Sequence, residues 1–225
     1  MKVLSVSDIH GNATWMEWIL ERAALVDLLL LPGDLVDGFV ADQDGQLLLL
    51  EDFLGRLEAM GRQTLWCGGN HDIQVVDALL RKFKDSLFMH GNGSRLEHSG
   101  ISFHSIGFAQ PLPGPEDTAA DVWIYHEPPE GTPVSRSSKN GPSFGCDKLA
   151  ARAVHRRLPL PSVVISGHEH WPQAWHWTSP RGTLFLNSGQ PRLGAPVPAH
   201  LIFDIKGRQG GVLQIPTNES ITLKL

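Results

Sequence analysis

Residues 2–12 read Lys2-Val3-Leu4-Ser5-Val6-Ser7-Asp8-Ile9-His10-Gly11-Asn12. A short strand over residues 2–7 runs out into a polar, turn-rich loop. Beyond it, Trp15, Met16, Ile19, Leu20, Ala23 and Ala24 recur at three- and four-residue spacing. That spacing predicts a helix, with Asn12 or Thr14 as its N-cap. Residues 27–31 then form a continuous apolar strand that Pro32-Gly33 stops. A second amphipathic helix is predicted over 46–60, with Leu47, Leu50, Leu54 and Leu57 on one stripe, and a third strand over 64–67. Apolar strands alternating with helices indicate βαβ units around a buried, largely parallel sheet.

The second half is richer in strands, predicted over 121–125, 162–166, 183–186, 199–205 and 212–215. Residues 207–211 read as a hairpin connection. One helix is expected over 144–157, with Leu149, Ala150, Ala153 and Val154 inward. Residues 127–143 are rich in Pro, Gly and Ser and too long for a simple connection, which suggests a lid or a mobile loop. The expected fold is α/β, two packed mixed β-sheets flanked by helices in a four-layer α/β/β/α sandwich, with residues 1–225 as one domain.

Composition narrows the function classes. The chain has 225 residues, 41% hydrophobic and 19% charged, which excludes a disordered chain. Nineteen basic against 24 acidic residues give a net charge of -5, so no basic nucleic-acid-binding surface is expected. The Leu47–Leu50 run is far short of the roughly 20 apolar residues of a membrane span. Asp8 arrives before any signal-peptide core could form. Two cysteines, Cys67 and Cys146, make no disulfide framework. The expected location is the cytoplasm. The unusual count is histidine, of which there are 11.

Five short segments share one design, in which an apolar strand ends and metal-type ligands follow. They are Asp8-Ile9-His10, Gly33-Asp34, Gly69-Asn70-His71-Asp72, His126 and Gly167-His168-Glu169-His170. Loops at the carboxyl ends of strands form the ligand crevice of α/β sheets. In extended backbone, residues i and i+2 point the same way, so Asp8 with His10, and His168 with His170, can each aim two ligands at one point. Most of the segments alone read as ordinary turns, and Gly167-His168-Glu169-His170 as either a turn or a metal site; their joint occurrence at strand ends does not read as turns. Imidazole, carboxylate and amide oxygen without thiolate suit Mn, Fe, Zn, Ni or Co.

Together these segments, with Ser7-Asp8-Ile9-His10-Gly11-Asn12 and Gly33-Asp34-Leu35-Val36-Asp37, resemble the calcineurin-like metallophosphoesterases over residues 4 to about 190. The resemblance implies two divalent or trivalent metal ions, manganese being favoured. Asp8, His10, Asp34 and His170 would hold one, and Asp34, Asn70, His126 and His168 the other, Asp34 bridging. It implies hydrolysis by in-line attack of a metal-bridging hydroxide. It gives His71 the task of protonating the leaving oxygen, which the ordinary imidazole pKa near 6.5 suits. Asp37 or Asp72 would orient the His71 ring, the spacing favouring Asp37; the plainer reading is that both cap turns.

Where protein phosphatases and dinucleoside tetraphosphatases of this superfamily have Asp-Arg-Gly, this chain has Asp37-Gly38-Phe39, which disfavours phosphoprotein and dinucleotide substrates. Residues 126–131, Gly145-Cys146 and Asn187-Ser188-Gly189 look closer to the small phosphodiesterase-like branch. The expected partner is a small phosphate ester, a cyclic nucleotide or similar diester. The alternatives are a phosphomonoester of a small metabolite, or a metal-binding scaffold protein on the same fold. Arg136, Lys139 and Arg192 are candidate phosphate clamps or solvated charges. Trp171 is a candidate stacking surface for a base or aryl group, while Trp175 and Trp177 read as packing. The sequence leaves the oligomeric state open.

Overall fold

The computed structural model describes residues 1–114, 120–138, 140–155, 158, 160–191, 194–205, 211–214 and 220–223. Its elements run β1 (Lys2–Ser5), α1 (Ala13–Ala23), β2 (Leu28–Pro32), α2 (Gln43–Ala59), β3 (Gln63–Cys67), α3 (Val76–Lys82), β4 (Met89–His90), β5 (Arg95–His98) and β6 (Ile101–Ile106). They continue β7 (Val122–Tyr125), α4 (Asp147–Val154), β8 (Val163–Ser166), β9 (His176–Thr178), β10 (Leu184–Asn187), β11 (Leu201–Ile205), β12 (Gly211–Gln214) and β13 (Ser220–Leu223).

Two mixed sheets result. One has the order β13-β12-β11-β1-β2-β3-β4, the other β5-β6-β7-β8-β10-β9. Within the first, β1 to β4 are mutually parallel. Within the second, β6, β7, β8 and β10 are parallel.

The continuous apolar strands are explained by burial on both faces. Leu28 and Leu30 point between the sheets, against Phe103, Ile124 and Ile165. Leu29 and Leu31 point outward under the helical layer, with Trp15, Ile19, Phe53 and Leu57. On the far side, Trp123, Tyr125, Val164 and Phe185 pack with Leu149 and Ala153 of α4. The layers are therefore helix, sheet, sheet, helix, the expected sandwich. No described helix is long and apolar enough to cross a membrane.

Several elements differ from expectation. Asn12, not Thr14, caps α1, accepting from Trp15 N at 3.1 Å. Helix α4 stops at Val154, which is exposed rather than inward. Helix α3 escaped the periodicity because it is seven residues long with Leu79 alone buried and no side-chain cap. Strands β4, β5, β6, β9 and β13 were also unread. The β5–β6 hairpin turns on Ser99-Gly100, both at positive φ (53° and 75°), a signal that the sequence carried. The 207–211 connection lies almost wholly outside the described residues.

The described residues of the 128–146 segment are laced to one another and to the scaffold. Cys146 N donates to Pro128 O, and Glu130 N to Cys146 O. Ser135 Oγ meets Ser143 Oγ at 2.9 Å, and Asn187 Nδ2 donates to Val134 O at 3.1 Å.

Candidate active site

The carboxyl ends of β1, β2, β3, β7 and β8 lie along one edge of the sandwich, where the two sheets meet. Backbone hydrogen bonds stitch the loops that leave them: Asp8 N to Gly33 O, His10 N to Asp34 O, Gly11 N to Leu35 O, and Gly167 N to His126 O. Asp8, His10, Asp34 and His168 all have positive φ (54°, 47°, 52° and 70°), four of the six such non-glycine residues described. This conformation is uncommon outside glycine, although Asp, Asn and His tolerate it best. It costs on the order of 1–3 kcal/mol per residue and persists where surroundings impose it, typically at functional sites.

These loops bring seven side chains together. The ligand atoms of Asp8, His10, Asp34 and His170 form one group within 4.8 Å of one another, and those of Asp34, His126 and His168 form a second. Asp34 belongs to both: its Oδ2 lies 3.9 Å from His10 Nε2 and 3.3 Å from His126 Nε2. The Asn70 amide oxygen joins the second group, 3.0 Å from His126 Nε2 and 2.9 Å from His168 Nδ1. In the first, His10 Nε2 and His170 Nε2 are 3.1 Å apart, and His170 Nε2 is 3.6 Å from Asp8 Oδ1.

Three observations show that these residues fit metal ions. Asp8 Oδ2 is buried with no hydrogen-bond partner, a costly state for a carboxylate unless a cation meets it. His126 Nδ1 lies 2.9 Å from Pro32 O and must donate to it, which turns Nε2 toward the cluster as a ligand atom. All donors are imidazole, carboxylate or amide oxygen, a set for first-row ions.

Without metal, the charges are strongly perturbed. Burial, helped by the Asp34 charge, pushes Asp8 up to about 7. Burial pulls His10 and His168 down to about 4, and lowers His170. Burial disfavours a charged His126, but the Asp34 carboxylate outweighs it and raises His126 to about 9. Burial likewise opposes ionisation of Asp34, yet its imidazole neighbours, His126 first, hold it below the usual carboxylate range. His126 and Asp34 thus form a buried ion pair whose imidazole proton a metal must displace.

His71 stands beside both groups. Its Nε2 is 4.0 Å from Asp34 Oδ2, and its backbone N–H donates to Asp34 Oδ1 at 3.0 Å. Its Nδ1 receives the Gly38 N–H at 3.2 Å and lies 3.5 Å from Asp37 Oδ1. His10, Asp37 and His71 form a third cluster of ligand-type atoms. Asp72 does not reach the ring. Its buried carboxylate accepts from the N–H groups of Leu35 and Val36 at 2.9 Å and of Gly69 at 2.8 Å. It ties the Asp34 loop to the Asn70 loop, and burial raises it to about 6. Of the two carboxylates expected near the ring, Asp37 is the one beside it.

A family model described as calcineurin-like phosphoesterase matches residues 1–172. The chain belongs to that family. As a member it is a metal-dependent phosphoesterase. No curated protein sequence matches it. Among solved structures, a dimetal phosphatase from Danio rerio superposes with a TM-score of 0.66 at 12% identity, covering 100% of this chain and 98% of that one. The phosphoesterase Yfce from E. coli gives 0.50 at 18%, covering 98% and 97%. A purple acid phosphatase from yellow lupin seeds gives 0.60 at 10%, covering 100% of this chain but 53% of its own. At these identities the likeness is one of fold.

Trp171 is 62% exposed, its ring edge-on to His170 with centroids 5.8 Å apart. Arg136 is half-buried in the 128–146 loop, its backbone carbonyl accepting from Gln173 N, its Nε buried without a partner. Arg192 and Lys139 lie outside the described residues. Trp177 stacks on Phe185 at 5.5 Å, as packing requires.

Two supporting residues, Gln46 and Gln190, were missed by sequence reasoning, which pointed to Asn187 only through its turn. Gln46 Oε1 accepts from Asp37 N, and Gln190 Nε2 donates to Asp8 O. The buried amide of Asn187 donates to Gly167 O and Glu169 O, anchoring the loop that carries His168 and His170. Only the Asn187-Ser188-Gly189 turn carried a sequence signal for any of them.

Proposed function

We propose that the protein hydrolyses a small phosphodiester, with Asp8, His10, Asp34 and His170 holding one ion and Asp34, Asn70, His126 and His168 a second. The single observation that carries this reading is the position of Asp34 Oδ2, shared by both ligand groups. Bound there, two ions would lower the pKa of a shared water and offset phosphoryl charge. The His126 Nδ1–H bond to Pro32 O fixes that ring, and the Asp8 bond from His168 N at 2.9 Å fixes that carboxylate. Both are thus preorganised.

His71 supplies the leaving-group proton. The donor is the doubly protonated ring: the hydrogen leaves Nε2, the atom turned to Asp34 and the cluster, and the neutral ring left behind keeps its hydrogen on Nδ1. Once the ring is doubly protonated, Asp37 stands beside Nδ1 to balance it.

A diester is favoured over a monoester because it brings one negative charge, not two. Among the described residues, every cation-type nitrogen within 4 Å of the Asp8 and Asp34 carboxylates is an imidazole. Neither lysine nor arginine among the described residues adds charge there. The second reading, a phosphomonoesterase, draws on the fold likeness to a protein named a dimetal phosphatase. Manganese is our choice among the ions that the donor set suits, and the two buried free cysteines agree with a reducing cytoplasm.

The test is turnover of bis(4-nitrophenyl) phosphate and 4-nitrophenyl phosphate by chelator-stripped protein reloaded with Mn, Fe, Zn, Ni or Co. Faster turnover of the diester, greatest with Mn, is expected. Faster monoester turnover would favour the second reading, and no turnover despite bound metal would favour a scaffold.

A further inference from the structure

Phe39 is the most exposed large apolar side chain among the described residues, at 86%. Its exposure does not come from a loose loop. Gly38 is pressed so close to His71 that a Cβ there would lie 2.5 Å from His71 O. Phe39 N donates to Asp37 Oδ1 at 3.1 Å, and Gln43 Nε2 donates to Gly38 O at 3.1 Å and to Val40 O at 2.6 Å. The turn is fixed on both sides, and it directs the phenyl ring onto one neighbour. That neighbour is His71, with ring centroids 4.4 Å apart and planes at 75°. The rest of the ring faces solvent and takes no part in the core packed beneath it. A fixed, uncovered phenyl forgoes the burial that a core position would provide.

Its place beside His71 says what covers it. An oxygen hydrogen-bonded to Nε2 at about 3 Å lies within roughly 9 Å of the phenyl centroid, whichever way it approaches. A methyl or ethyl group attached to that oxygen reaches little of the ring. A flat six-membered ring attached there reaches the roughly 4.5–7 Å centroid separation at which aromatic pairs interact.

We propose that Phe39 is a specificity-determining residue, the platform that receives an aromatic ring on the leaving group, so that the preferred esters carry an aryl, benzyl or base-like group next to the scissile bond. The inference rests on the reading of His71 as the group facing the leaving oxygen. Trp171, on the His170 side of the cluster, serves a different part of the ligand.

The test measures binding of benzylphosphonate and ethylphosphonate to Mn-loaded protein by calorimetry, in wild type, Phe39→Ala, Phe39→Leu, Phe39→Trp and Trp171→Ala. Wild type should prefer the benzyl compound by about tenfold. Phe39→Ala and Phe39→Leu should shrink that preference to about twofold, while Phe39→Trp and Trp171→Ala retain it. Since the side chain is exposed, these variants should fold. An unchanged preference in Phe39→Ala, equal weakening of both compounds, or loss of preference only in Trp171→Ala would overturn the proposal. Those outcomes leave the phosphoesterase reading intact. If wild type binds neither phosphonate and turns over no nitrophenyl ester, it is that reading which fails, and the Phe39 proposal with it.

Discussion

Replacing Gly167 by alanine perturbs one metal ligand without touching any donor atom. Gly167 does not need a positive φ, so alanine brings no backbone strain, only a methyl group. That methyl would lie 2.4 Å from Asp8 Oδ2 and 2.7 Å from Ser7 Cβ and Oγ. Ordinary contact begins near 3.4–3.5 Å, so the Asp8 carboxylate must retreat by about 1 Å. Metal-ligand distances tolerate only about 0.2 Å. Asp8 belongs to the first ligand group and not to the second. Gly167→Ala should therefore weaken one of two Mn sites by a hundredfold or more, going beyond the 10–100-fold typical of indirect ligand changes. The other site should stay within about tenfold. Overpacking should lower stability by about 1–3 kcal/mol, leaving a folded protein to titrate. Calorimetric titration of the stripped variant, with a melting curve as control, separates the outcomes. A folded variant that binds two ions with wild-type affinity would refute the placement of Asp8 as a ligand.

Other perturbations address the remaining roles. His71→Ala should lower kcat by about 10²–10⁴-fold on esters with poor leaving groups and less on nitrophenyl esters, with metal content unchanged; equal losses across leaving groups would remove the proton-donor role. Asp72→Ala strands three buried N–H groups, each costing about 1–3 kcal/mol, so thermal unfolding should show a loss of several kcal/mol. A loss below 1 kcal/mol would mean that Asp72 does not hold the two loops together. The metal-free protein should lose stability as pH rises from about 7 to 9. In that window His126, raised to about 9 beside Asp34, keeps a proton that the unfolded chain has already lost. The folded state then binds more protons, so rising pH favours unfolding, by up to about 3 kcal/mol. Asp8, His10, Asp72 and His168 titrate at or below about 7, and His170, His90 and His200 are lowered by burial, so none of these titrates in the window; Cys67, raised by burial, adds a smaller loss of the same sign only toward pH 9, in both forms. Metal-loaded protein, with His126 already deprotonated, should show no such loss; parallel denaturation curves for both forms at each pH decide it.

The layered fold was legible because its parallel strands are buried on both faces. Leu28–Pro32 therefore reads as an unbroken apolar run beside amphipathic helices. The ligand segments were legible because each follows such a strand directly. What stayed hidden depends on contacts between distant segments. Asp72 looks like a partner for His71 by adjacency, yet the chain turns its carboxylate back to Leu35 and Val36, 37 and 36 residues away. Gln46 and Gln190 sit in unremarkable surroundings in sequence and act only through loops that folding brings to them. Phe39 reads as one more apolar residue until its exposure and its contact with His71 are seen together. The edge strand β9, three residues long, is too short to show a period.

The most direct measurement is anomalous diffraction from crystals of the Mn-loaded protein, read together with metal stoichiometry in solution. Two ions per chain are expected, about 3.5–4 Å apart. One Asp34 carboxylate oxygen should lie within bonding distance of both, with Asp8, His10 and His170 on one side and Asn70, His126 and His168 on the other. A single ion, or two ions that do not share Asp34, would contradict it.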